Sequence, residues 1–361
     1  MKKIFFALAA VAALAACSKS EIEYEQTGEI AFAPVSKNIT KSMITGTKFP
    51  TTAGSFNVWA WYNQVDAGTT PDNWDTDNDN LYITKGEFIP SETTGLWKGN
   101  TSYYWPKVGS LLFAGYYHNT DADVSYKFDT SDNKMVFTGI KQREVNSASI
   151  NTHTEDLMYF TMTSRSYNNG PVSVVFKHAL SWVTVNLRHS GFTVKDGYPK
   201  ITVHTVDFTN VNPEGTGTVI GTQENITWGL TGNVADTHIT TSDVILDANN
   251  KTQKEMLFIP QLLTYDDPKT AEKEADYTMA LKIKYTIYSS ETEHFTETMH
   301  IPLKGIVGKT PSLTDPSASS TAIDSWEPAK HYTYNVVMGI NEIYIQPTVT
   351  DWDTIEANLP I

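Results

Sequence analysis

The only cysteine of the chain, Cys17, closes the tetrapeptide Leu14-Ala15-Ala16-Cys17. Small residues leading to a cysteine at the end of an apolar leader have the form of a lipobox, in which the thiol takes lipid and the cysteine becomes the new N-terminus. A second candidate chemistry is cation binding. Asp75, Asp77 and Asp79, within Asp72-Asn73-Trp74-Asp75-Thr76-Asp77-Asn78-Asp79-Asn80, fall at positions 1, 3 and 5 of a calcium loop. Calcium wants six to eight oxygens, and such a loop adds Gly at position 6 and Glu at position 12. Those positions are Asn80 and Gly86 here, which favours a solvated hairpin loop over a metal site. A third is stacking on sugars. Trp59 and Trp61 share one face of a strand pattern, opposite Val58 and Ala60. They read either as a glycan platform or as the second side of a strand buried on both faces. The nine histidines include no H-E-x-x-H pair, and His178, between apolar runs, reads as a structural residue at a strand end. No G-x-S-x-G elbow, P-loop or dinucleotide fingerprint occurs. Nothing marks out any pair among the 41 carboxylates for hydrolytic work. No enzyme activity and no cofactor is expected.

The elements around these residues sort in the same direction. Met1-Lys2-Lys3 precedes an apolar run from Ile4 to Ala16, shorter than the roughly 20 residues of a membrane-spanning helix, so the run reads as the core of an export signal. A lipid-bearing Cys17 would hold the chain on a membrane without crossing it, since two or more acyl chains anchor stably where one binds reversibly. The net charge is −14, from 27 basic and 41 acidic residues, and only Arg143, Arg165 and Arg188 are arginines; this balance argues against nucleic acid. With one cysteine, disulfides cannot staple the fold. At 40% hydrophobic and 12% aromatic residues, the chain can bury a core.

Alternation with period two dominates, which is the strand signal. Met279, Leu281, Ile283, Tyr285 and Ile287 alternate with more polar residues, as do Tyr332, Tyr334, Val336, Met338 and Ile340. Shorter runs follow the same rule: Phe56-Val58-Ala60-Tyr62, Leu111-Phe113, Val172-Val174-Phe176 and Val183-Val185-Leu187. Helical pattern is nearly absent; Lys269 to Tyr277 is one or two turns or a loop, and Gly308 to Lys330 reads as a long surface loop. Many short strands between turn signals predict β-sandwiches, and 361 residues suffice for two domains, with a boundary near Arg165 to Pro171.

The order of several segments resembles the fimbrillin-like lipoproteins that build type V pili on Gram-negative anaerobes. The segments are the lipobox, Ile39-Thr40-Lys41-Ser42, Trp97 with Tyr103-Tyr104-Trp105-Pro106, and Leu111-Leu112-Phe113-Ala114-Gly115-Tyr116-Tyr117. Asp156-Leu157-Met158-Tyr159, Val172 to Leu180, Leu257-Phe258-Ile259-Pro260-Gln261, and Trp326 to Asn335 running on to Trp352 complete the series.

The resemblance implies an all-β chain of two transthyretin-like β-sandwich domains in tandem. It divides into a signal peptide over residues 1–17, a pro-segment over 18–41, an N-terminal sandwich over 42–168 and a C-terminal sandwich over 169–361. It implies an outer-membrane lipoprotein precursor, surface-exposed, whose N-terminal strand is removed by a protease. Cutting would fall between Lys41 and Ser42, where this chain has lysine in place of the family's arginine. The removable strand would carry Ile30 and Phe32. The groove left behind would take a C-terminal donor strand, here with Ile343, Ile345 and Val349 on one face. The implied partners are other fimbrial subunits, the membrane through the lipid, and host or bacterial surface glycans. A surface carbohydrate-binding lipoprotein using Trp59 and Trp61 is the alternative.

Overall fold

The computed structural model describes residues 28–36, 54–64, 80–91, 96–118, 127–129, 134–144, 156–166, 170–221, 223, 225–240, 243–249, 252–264, 279–304, 323–340 and 343–351. The described residues are all-β and contain no α-helix. Cys17, Lys41, Ser42, Asp75, Asp77, Asp79 and the 269–277 segment lie outside them.

The first strands are β1 (Ala31–Ser36), β2 (Phe56–Asn63), β3 (Leu81–Pro90), β4 (Trp97–Gly99) and β5 (Ser110–His118). Then follow β6 (Lys127–Asp129), β7 (Lys134–Lys141), β8 (Arg143–Glu144), β9 (Leu157–Ser166) and β10 (Val172–His178). Seven of them close into a barrel in the order β1-β10-β9-β5-β2-β3-β4. The period-two residues point into it: Phe56, Val58 and Ala60 from β2, Leu111 and Phe113 from β5, and Val172, Val174 and Phe176 from β10 share one buried cluster. The boundary expected at 168–169 falls in the β9–β10 connection, and β10 pairs with β9 and β1 inside the barrel.

The barrel is tight enough to demand a glycine in β5. A methyl group on Gly115 would overlap the Phe160 ring and lie 2.8 Å from the Asn57 carbonyl oxygen. Gly115→Ala is therefore expected to destabilise the protein by about 1–3 kcal/mol, read as a lower denaturant midpoint at unchanged slope.

The later strands are β11 (Ser181–His189), β12 (Lys200–Val211), β13 (Glu214–Ile220), β14 (Thr227–Leu230), β15 (Ala235–Thr240) and β16 (Val244–Ile245). After them come β17 (Thr252–Phe258), β18 (Gln261–Leu262), β19 (Ala280–Tyr288), β20 (His294–Pro302), β21 (Ser325–Trp326), β22 (Lys330–Met338) and β23 (Ile343–Asp351). One sheet runs β23-β22-β11-β17-β8, and another runs β15-β12-β19-β20 with β16 on β12. They share one core, in which Val183, Val185 and Leu187 of β11 meet Leu281, Ile283 and Tyr285 of β19 and Tyr332, Tyr334 and Val336 of β22. Trp326, inside the stretch read as a surface loop, is instead a core residue stacked on Phe258 with ring centroids 4.4 Å apart.

Strands β6 to β8 leave the barrel. β7 pairs with β13, and β8 pairs with β17. The outer face of the barrel is therefore also covered: Trp61, Leu112, Ala114 and Tyr159 share a third cluster with Phe137, Val219, Ile226 and Leu257. The Trp228 indole N–H donates to the Ala179 carbonyl at 2.9 Å, and the Ile226 N–H donates to the Tyr159 hydroxyl at 2.9 Å. Burial of both faces is why β5 carries apolar residues at successive positions, from Leu111 to Ala114, on top of the alternation.

Candidate functional site

Strand β1 closes the barrel. It runs parallel to β10, with Phe32 beside Val172 and Ser36 beside Phe176, and antiparallel to β4, with Ala31 beside Lys98 and Phe32 beside Trp97. The approach to it is tied down as well. The Ile30 N–H donates to the Tyr103 carbonyl at 2.7 Å, and the Trp105 N–H donates to the Gly28 carbonyl at 3.0 Å. Ile30, Phe32 and Pro34 are buried, so one face of the segment fills the barrel interior. The Phe32 ring sits edge-on to Phe88, Phe113 and Phe56 at centroid distances of 4.7, 5.3 and 5.8 Å. Phe160 closes the cage at 6.2 Å.

A charged clip holds the outer end. The Glu29 carboxylate accepts from the Lys98 ammonium and, at 2.9 Å, from the Ser102 hydroxyl. The Lys98 hydrogen bond is the main cause that holds Glu29 below the ordinary glutamate range, against the smaller opposing effect of burial. A carboxylate whose folded pKa is depressed contributes stability above its unfolded pKa and loses it as pH falls through the folded value. The stability difference between the native chain and Glu29→Gln is thus expected to be at most about 1 kcal/mol at neutral pH. It should begin to shrink as pH approaches the ordinary glutamate value of 4.5 and vanish only below the depressed folded value, which denaturant titrations at several pH values will read.

Removal of β1 would leave two unpaired backbone edges and an open apolar slot. Each large side chain withdrawn forfeits about 1.5–3 kcal/mol, against a typical whole-domain stability of about 5–15 kcal/mol. Backbone pairing on both flanks, together with pockets for alternate side chains, is the geometry by which an extended strand is recognised.

At the other end of the chain, β23 is an edge strand paired, among the described residues, with β22 alone. Ile345, beside Val336, packs against the sandwich core, and Val349 is 44% exposed. Pro347 stands beside Tyr334 in this edge, a position that tolerates a missing N–H.

The glycan platform is not available on β2. Trp61 is 1% exposed, and Trp59 is half-buried and stacked on Tyr116 at 5.7 Å. Both belong to the cluster between the barrel and the strands around β7 and β13. The pair shares one face, as its spacing indicates, but a protein sheet covers that face.

His178 is a core residue at the end of β10, with Nδ1 2.6 Å from Asp156 Oδ2. Its spacing gave no hint of the carboxylate partner, 22 positions earlier in the chain. Among the described residues, no group of three or more His, Cys, Asp or Glu side chains is arranged to hold a metal ion.

Residues 30–352 match a family model described as fimbrillin-like, and residues 1–18 match one for the prokaryotic membrane lipoprotein lipid attachment site. No curated protein sequence matches the chain. Among solved structures, a fimbrial protein from Bacteroides vulgatus superposes with a TM-score of 0.55 at 14% identity, over 90% of this chain and 100% of that one. It shares the fold. A candidate cell adhesion protein from Bacteroides uniformis aligns at 15% identity over 90% of this chain and 99% of that one, with a TM-score of 0.49. The tip fimbrial protein Mfa3 from Porphyromonas gingivalis aligns at 11% identity over 90% of this chain and 100% of that one, with a TM-score of 0.39.

Proposed function

This chain belongs to the fimbrillin-like family, and from that premise we propose that it is a fimbrial subunit whose barrel is completed by β1 in the precursor and by a strand of another subunit in the fimbria. It is a lipid-anchored surface or fimbrial protein. In this reading Cys17 carries the lipid, the outer membrane is the membrane it is held to, and residues 18–41 are the removable pro-segment. The role is structural, in assembly and adhesion, and not catalytic.

The placement of β1 supports this most strongly. The strand has six residues, contributes a fully buried ring in contact with four others, and ends five positions before Lys41. The precursor strand keeps both edges paired until it is cut away, which protects the edges from indiscriminate association. After cutting, an unfilled slot is unstable enough to capture a new strand. Strand β23, already at a sheet edge, is the donor in this scheme, and other fimbrial subunits are the partners.

The test is limited trypsin digestion of the precursor lacking its leader. Cleavage near Lys41 followed by SDS-resistant ladders is the expected result. Clean cleavage there with the chain remaining monomeric would overturn the exchange.

A further inference from the structure

A cavity of about 510 Å³ lies where β11 ends and β12 begins, within the range of roughly 300–1,000 Å³ usual for small-molecule sites. One wall is the connection over residues 190–199, and the other is Ile245 to Asp247, at and just after β16. Both walls are tied to the sheets. Lys195 and Tyr198 exchange backbone hydrogen bonds at 2.7 and 3.0 Å. Between them Asp196 and Gly197 take φ of 57° and 83°, as the two-residue hairpin turn with positive φ at both central positions requires. The Leu246 N–H donates to the Ile201 carbonyl at 2.9 Å, and the His189 N–H donates to the Asp247 carbonyl at 3.2 Å.

The side chains of this cavity leave hydrogen-bonding capacity unused. His189 is 8% exposed, and its Nδ1 accepts from the Gly191 N–H at 3.1 Å. The ring proton therefore sits on Nε2, which has no hydrogen-bond partner among the described residues. A buried donor without an acceptor is costly, and this ring lines the cavity. Lys200 brings further donors. Its ammonium lies 4.6 Å from the centre of the Tyr288 ring and 5.3 Å from that of Tyr198, and no carboxylate pairs with it among the described residues. Attraction to the two ring faces positions it before anything binds. The exposed carboxylates of Asp196 and Asp247 supply acceptors. Phe192, stacked on His189 at 4.3 Å, and Tyr198 supply apolar ring surface.

We propose that this cavity binds an uncharged pyranose ring. The site is separate from the β1 slot and does not depend on strand exchange. Its chemistry selects the ligand. A purely apolar guest would leave the His189 and Lys200 donors unmet. An anion would face two carboxylates in the same cavity, on a chain of net charge −14. A cation would face the Lys200 ammonium. A sugar ring carries hydroxyls that accept from His189 and Lys200 and donate to Asp196 and Asp247, and its C–H faces cover the rings of Phe192 and Tyr198.

The test titrates the uncut chain, from Ser18 onward, with the methyl glycosides of glucose, galactose, mannose and N-acetylglucosamine, read by amide NMR shifts. At least one glycoside is expected to give saturable shifts at residues 191–200 and 245–247, with a Kd on the order of 1 mM for a single ring. Lys200→Met keeps the stem and removes the donors, and is expected to weaken binding about tenfold. His189→Gln should weaken it similarly; if that variant does not fold, Lys200→Met decides alone. Lys284→Met, at an exposed position of β19 outside the cavity, should bind as the native chain does. Absence of shifts with all four glycosides, shifts confined to other residues, or equal affinity of Lys200→Met and the native chain would overturn the site. Binding of methyl glucuronide but of none of the four would overturn the uncharged ligand.

Discussion

Replacing Phe32 with alanine is expected to destabilise the precursor by about 3–5 kcal/mol, the usual cost of deleting a buried phenylalanine ring. The loss should sit at the upper part of that range. The four rings around Phe32 come from β2, β3, β5 and β9, and each is held by its own strand, so the void cannot readily collapse. In a chain of this size the change corresponds to a fall in melting temperature of roughly 4–7 °C, measurable by calorimetry. In the proposed exchange β1 leaves the protein on processing, so the same substitution should have no effect on the stability of cut and assembled multimers. A variant that weakens the precursor and the multimers equally would mean that β1 stays in place.

Asp156→Ala is expected to cost about 1–3 kcal/mol, because it leaves a buried histidine ring nitrogen without its hydrogen-bond partner. Asp156 and His178 are both buried, one just before β9 and the other at the end of β10, and their strands meet there through the pairing of His178 with Met158. The pair therefore fastens the strand that lies beside β1. Burial, and next the Asp156 charge, push the Tyr117 hydroxyl well above the ordinary tyrosine range. Removing the carboxylate should bring the Tyr117 titration partway back down. A double substitution to apolar residues of similar volume should recover much of the lost stability, since a buried pair contributes less than the penalty for breaking it. Chemical denaturation of the two single variants and the double variant gives the coupling directly.

Local pattern was a good guide where a strand has one buried face. In β19, Leu281, Ile283 and Tyr285 are buried in the sandwich core, with Met279 just before the strand, as their alternation predicts; in β22, Tyr332, Tyr334, Val336 and Met338 do the same. Pattern was ambiguous where both faces are covered. Trp59 and Trp61 allowed either a sugar platform or a second packing face, because a strand's spacing says which residues share a side and not what lies against it. Trp326 was hidden for a different reason: its strand is two residues long, too short to show a period.

The lipobox, the strand character and the segment order of a fimbrillin-like chain were all legible in the sequence, because each is written in residues that are neighbours along the chain. The tertiary structure alone decided that β1 lies parallel to β10, about 140 positions away, that β7 and β8 leave the barrel to join later sheets, and that a carboxylate meets His178. Strand pairing depends on which backbone edges and apolar faces remain uncovered after everything else has packed, and that is a property of the whole fold and of no single segment. The slot of β1 is such a property: its residues come from strands scattered between positions 56 and 178, and they become a site only once the barrel closes around Phe32.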